Sequence, residues 1–141
     1  MSKAVLALGC LLAVALGAEE RLLSDFEDAT SLGLWGKPDN AKLVSEHTTR
    51  GKGALKVTLS KALVSGSWSR LRHNWSKYDH LRLDFFNPGK PIKLVVRFKD
   101  GAGKGYDLWS YQVPNGAHLA VFDLKKVGSK INLSDVRQFW F

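Results

Sequence analysis

The stretch YDHLRLDFFNPGKPIKLVVRFKDGAG, residues 78–103, constrains the fold more than any other part of the chain. Leu81, Leu83 and Phe85 alternate with Arg82, Asp84 and Phe86; after a break, Ile92, Leu94, Val96 and Phe98 alternate with Lys93, Val95, Arg97 and Lys99. Successive side chains of an extended strand point to opposite faces, so a period of two gives each segment one dry face and one wet face. A helix would scatter the same residues around its circumference. NPGKP separates the segments, because Pro88 and Pro91 cannot donate to a ladder and Gly89 tolerates positive φ. The pattern predicts a hairpin, with Asp84 paired across to Arg97 or Lys93 on the wet face.

The same signals recur at short intervals. Leu22 to Glu27 reads as a first strand, followed by a loop that holds Trp35, Gly36 and Pro38. AKLVSEH at 41–47 and ALKVTLS at 54–60 flank the glycine turn TTRGKG; DLWSYQV at 107–113 and HLAVFDL at 118–124 flank PNG; QFWF closes the chain. No amphipathic helix stands out, although LSDV at 133–136 suits a single helical turn with Ser134 as its cap. About eight short strands with Gly/Pro turns predict an all-β fold, an antiparallel β-sandwich.

The N-terminus has a different character. In MSKAVLALGCLLAVALGAEE, Lys3 precedes an uninterrupted apolar run from Ala4 to Leu16, and small residues follow at Gly17 and Ala18. This is the pattern of a cleaved secretory signal peptide over residues 1–18, and the run falls short of the ~20 residues that cross a bilayer. The expectation is a secreted, periplasmic or cell-surface protein with no membrane association after cleavage. Removing residues 1–18 from 141 leaves 123, enough for one domain with a proper core, residues 19–141. Cys10 is the single cysteine and lies in the leader, so disulfides and cysteine-based metal or redox sites are excluded from the mature chain. Loss of Lys3 takes the formal charge from +8 to +7. That excess suits a soluble basic surface or an anionic partner, but no nucleic-acid motif accompanies it.

LLSDFED, then SEHTTRGKGALKVTL, then WSKYDHLRLDFFNPGKPIKLVVRFKD, then LSDVRQFWF together resemble the galactose-binding-like jelly-roll domains. Those domains occur as carbohydrate-binding modules and as N-terminal accessory domains of secreted bacterial glycoside hydrolases. The resemblance spans nearly all of residues 20–141, and its most specific piece is W-S-x-Y-D-x-L-R-x-D-x-F-N-P at 75–88. It implies a jelly roll, a polysaccharide or oligosaccharide partner, a neighbouring hydrolase domain, and no catalysis. Members usually finish with a further strand of the form DDIRL, whereas this sequence stops at Phe141. The expectation is therefore a sandwich lacking its last strand, a truncated accessory piece or one completed by a partner.

Carbohydrate modules set flat aromatic rings against sugar faces and use Arg, Asp and Asn for the hydroxyls. Five tryptophans and three tyrosines supply the rings here. Trp75 and Trp140, set in apolar strand patterns, read as core, while Trp68 sits in the polar stretch SGSWSRLR. Trp109 and Tyr111 share one face of their strand with Val113. The candidate contacts are Trp68, Arg70, Arg72, Arg97, Trp109 and Tyr111; Phe86, among the charges of its face, adds a further ring. The resemblance also implies a structural calcium ion held by acidic residues near the start, here Asp25 and Glu27, with main-chain carbonyls of the turn at Arg50 to Gly53. For catalysis the sequence is thin. His47, His73, His80 and His118 lie far apart, no serine sits in a nucleophile elbow, and GAGKG lacks P-loop spacing. A structural or protein-interaction sandwich without sugar binding is the competing expectation.

Overall fold

The computed structural model describes residues 4–14, 20–24, 26, 27, 30, 40–49, 51–59, 65–67 and 74–141. Ten strands lie among them: β1 (Ala4–Val14), β2 (Glu20–Ser24), β3 (Ala41–Val44), β4 (Ala54–Leu59), β5 (Ser65–Ser67), β6 (His80–Asn87), β7 (Ile92–Asp100), β8 (Gly105–Val113), β9 (Gly116–Asp123) and β10 (Val136–Trp140). They form two antiparallel sheets. The first has the order β3-β4-β1-β6-β9, with β2 also against β1; the second has the order β5-β10-β7-β8. The chain is an antiparallel β-sandwich, as the strand periodicity predicted.

The core lies between the inner faces. Leu81, Leu83 and Phe85 of β6 meet Leu94, Val96 and Phe98 of β7, with Phe122 of β9 and Phe139 of β10. Phe98 sits at the centre, its ring 5.1 Å from Phe139, 5.9 Å from Phe122 and 6.4 Å from Trp75, the last edge-to-face. Each such ring contributes ~1.5–3 kcal/mol by leaving water, and the offset and edge contacts add to that. Trp75 is core, as its apolar setting predicted.

The expected hairpin at 80–100 does not form. β6 and β7 belong to different sheets, and Asp84 is in register with Leu119 of β9, whereas Arg97 is in register with Asp107 of β8. Alternation fixes which face of a strand is dry; it does not name the neighbour. Two dry faces can pair edge to edge in one sheet or face each other across a sandwich, and here they do the second.

Asn87 explains the turn from one sheet to the other. Its buried side-chain amide donates to the carbonyls of Lys90 (2.9 Å), Pro114 (3.1 Å) and Val113 (3.4 Å), and its Oδ1 accepts from Gly89 N–H (3.0 Å). The PNG turn is likewise a crossover, carrying the chain from β8 in the second sheet to β9 in the first. Asn115 reciprocates, donating to the carbonyls of Asn87 (3.3 Å) and Gly89 (2.8 Å). The two crossovers are stitched together at one end of the sandwich.

At the other end, α1 (Leu124–Gly128) follows β9 directly, capped by Asp123, whose Oδ1 accepts from Lys125 and Lys126 N–H. It buries Leu124 and Val127. The helical turn expected at 133–136 is a 3-10 turn over Leu133–Asp135, capped by Asn132 and not by Ser134. Among the described residues no helix is long and apolar enough to cross a membrane.

The apolar run at the N-terminus is β1. It lies in the middle of the first sheet, with β4 and β2 along one side and β6 along the other.

Candidate functional site

The outer face of the second sheet gathers the chemistry. On β7, Leu94, Val96 and Phe98 turn inward, which leaves Lys93, Val95, Arg97 and Lys99 outward. On β10, Phe139 is buried in the core, so Trp140 beside it turns outward and is half-buried. Register then sets three side chains in a row across the sheet. Arg97 stands opposite Trp140 on one side and Asp107 on the other.

Arg97 binds Asp107 through both Nε and a terminal nitrogen, one to each carboxylate oxygen. Its guanidinium carbon lies 5.4 Å from the centre of the Trp140 ring, within cation–π range. The hydrogen bond to Asp107 raises the Arg97 pKa further above its already high range. The pair is partly exposed, so it contributes little to stability. Its effect is positional: guanidinium and carboxylate are locked in one plane beside an indole.

Trp109 completes the face. In the ladder between β7 and β8, Leu94 pairs with Tyr111 but Val96 pairs with Leu108, so β8 carries one residue more than β7 between these pairs. Ser110 absorbs the extra residue at φ 60°. This β-bulge breaks the alternation. Leu108 and Tyr111 both pack against the core, and Trp109 is left 71 % exposed. The sequence put Trp109 and Tyr111 on one face; the bulge separates them. Tyr111 turns inward, its ring 5.2 Å from Phe122 and its hydroxyl 3.0 Å from His118 Nε2, and burial raises its pKa.

Of the expected contacts, Arg97 and Trp109 therefore share the outer face, and Tyr111 lies beneath it. Trp68, Arg70 and Arg72 lie outside the described residues. Asp107 joins the face without having been singled out, and Trp140, which was expected in the core, instead turns outward, half-buried beside Arg97. Trp140 had a legible signal, since in QFWF the alternation that buries Phe139 and Phe141 turns the tryptophan out. Phe86, on the first sheet, is covered by His47, whose ring stacks on it at 3.5 Å and 9°. That pair borders a depression of about 240 Å³ lined also by Ala7, Val44, Glu46, Lys56 and Pro88.

At the expected calcium position, Asp25 lies outside the described residues. Glu27 Oε1 accepts from the main-chain N–H groups of Lys52 (2.5 Å) and Gly53 (3.0 Å). The turn thus offers Glu27 amide protons, which suit a carboxylate, where a calcium site needs oxygen atoms. Among the described residues, no three His, Cys, Asp or Glu side chains cluster as metal ligands.

Fold and site together define an antiparallel β-sandwich that presents an aromatic and ionic row on one sheet. Compared with family models, with curated proteins and with solved structures, the chain finds no match.

Proposed function

We propose that this is an exported, non-catalytic carbohydrate-binding domain, which holds a polysaccharide across the outer face of its second sheet and serves beside a glycoside hydrolase. The observation that carries the reading is the row Trp140, Arg97, Asp107 with Trp109 exposed alongside. An exposed indole offers a flat apolar plane to the C–H face of a sugar ring. The Arg97–Asp107 pair presents donors and acceptors in a fixed plane, suited to neighbouring hydroxyls on one residue. Lys93 and Lys99, outward on the same strand, extend the polar border. Binding of this kind needs no proton transfer and no nucleophile.

Thermal melts of the full chain across a panel of soluble polysaccharides test this. A ligand at about a hundred times its dissociation constant adds ~2.7 kcal/mol, which raises the midpoint of a domain this size by roughly 9 °C. The shift should appear with one polysaccharide class and vanish in Trp109→Ala, while the sugar-free melt of that variant stays put because the ring is exposed. If no polysaccharide moves the midpoint, or if Trp109→Ala keeps the full shift, the proposed face is wrong.

A further inference from the structure

β1 occupies a central place in the sheet with a segment that carries the pattern of a leader. Along one side it pairs with β4, Leu6 in register with Val57 and Leu8 with Leu55; along the other it pairs with β6, Leu8 in register with Phe85, Leu11 with Leu83 and Ala13 with Leu81. All five wall residues are core, between 0 and 3 % exposed. The fit to β6 is imperfect. Leu8 to Leu11 spans three steps on β1 against two steps from Phe85 to Leu83, so Gly9 and Cys10 bulge opposite Asp84. The outward rows of the walls, Lys56 and Thr58 on β4 and Arg82 and Asp84 on β6, are polar and half-buried, whereas β1 is apolar throughout.

Departure of residues 1–18 would leave β4 and β6 two strand spacings apart, ~9.6 Å. Two rows of unpaired N–H and C=O groups would then face each other above bared core. Such a pair of edges is a template for a guest strand. We propose that the groove between β4 and β6 is a strand-accepting site, filled in the exported chain by an extended segment of a partner protein. The guest runs antiparallel to both walls over about the eight residues of β6, with apolar side chains inward, polar ones outward and no proline. This rests on removal of the leader and not on the carbohydrate reading. β1 is then the placeholder that keeps the core dry until the guest arrives.

The test uses the full chain with a protease site inserted between Ala18 and Glu19, folded intact and then cut. The probe is a fluorescent peptide of the Ala4–Val14 sequence with lysines added at both ends, and its control carries Leu8→Pro, which removes a ladder donor. The cut chain should take up one probe per chain and release residues 1–18, read by anisotropy and mass spectrometry. The uncut chain should take up none, and the control should bind at least tenfold more weakly. Three results would overturn the proposal: a cut chain that holds residues 1–18 against a thousandfold excess, one that sheds them and still melts cooperatively with no guest, or an uncut chain whose Ala4–Val14 amides exchange as if unfolded. A cut chain that pairs with itself on size exclusion would make the occupant a second copy and refute the partner protein. An exported chain with its N-terminus intact would make β1 the permanent occupant and would likewise refute the proposal.

Discussion

Replacing Asn87 with alanine should loosen the end of the sandwich where both crossovers meet. The side chain is fully buried and contacts three carbonyls and one N–H. Its amide has only two protons, so the effective count is two donated bonds and one accepted. At ~0.5–1.5 kcal/mol net for each, with the more exposed Lys90 carbonyl free to turn to water, the loss comes to ~2–3 kcal/mol. Unfolding entropy of ~2.1 cal/mol/K per residue gives about 0.3 kcal/mol/K for a chain of this length. The midpoint should fall by roughly 7–10 °C in far-UV circular dichroism, with an unchanged denaturant slope. Asn87→Asp sharpens the test, because it keeps the shape but points an oxygen at three carbonyl oxygens. That variant should be less stable than alanine at neutral pH. It should recover in acid, since a carboxyl whose folded pKa is raised stabilises below its ordinary range and loses that contribution as pH rises. Asn115→Ala, whose two bonds are nearer the surface, should cost less, and the double variant should cost less than the sum because the two side chains hold the same turn. A shift under about 2 °C for Asn87→Ala, or an aspartate variant as stable as the native chain, would refute the reasoning.

Gly53→Ala should lower the midpoint by at least 6 °C, about 2 kcal/mol, because its new Cβ would lie 2.0 Å from the carbonyl oxygen of buried Phe26. Gly89→Ala, with nothing nearer than 3.6 Å, should leave the same melt within about 2 °C. Asp100 is held below the usual carboxylate range, chiefly by the N–H of Asn132 and then by that of Lys104. A lowered carboxylate pKa stabilises above the ordinary range and loses its effect as pH falls through the folded value. Urea midpoints taken from neutral to strongly acidic pH should therefore show an acid loss that Asp100→Asn flattens; a parallel curve would exclude Asp100 as its source. Calcium and chelator should give the same melt, given the amide donors on Glu27; a calcium-dependent rise of several degrees would put the ion elsewhere in the chain.

The strands themselves were legible because β6 and β7 each bury one face of a regular alternation, and that pattern survives any choice of neighbour. Their pairing was not legible. Whether NPGKP closes a hairpin or crosses between sheets depends on where the side chain of Asn87 finds its acceptors, and two of those lie at Val113 and Pro114, 26 and 27 residues on. β1 was not legible for a different reason: an uninterrupted apolar run has no period, so composition alone does not tell a leader from a strand. Part of the site was open to inspection. Arg97 followed from its strand, and Trp140 follows from the parity of QFWF once Phe139 is taken as core. Trp109 was named for its chemistry but grouped on one face with Tyr111 and Val113, since a bulge centred on serine leaves no glycine to betray it.

The bulge at Ser110 gives β8 two frames of facing, one on each side of it. Deleting that single codon would bring the two halves into one frame. Trp109 and Tyr111 would then be neighbours, and plain alternation would keep the indole outward while Leu108 and Tyr111 stay inward. The extra residue is thus dispensable to the facing of the indole: one triplet could be lost, β8 would straighten, and both the exposed ring and the core around Phe98 would stay as they are.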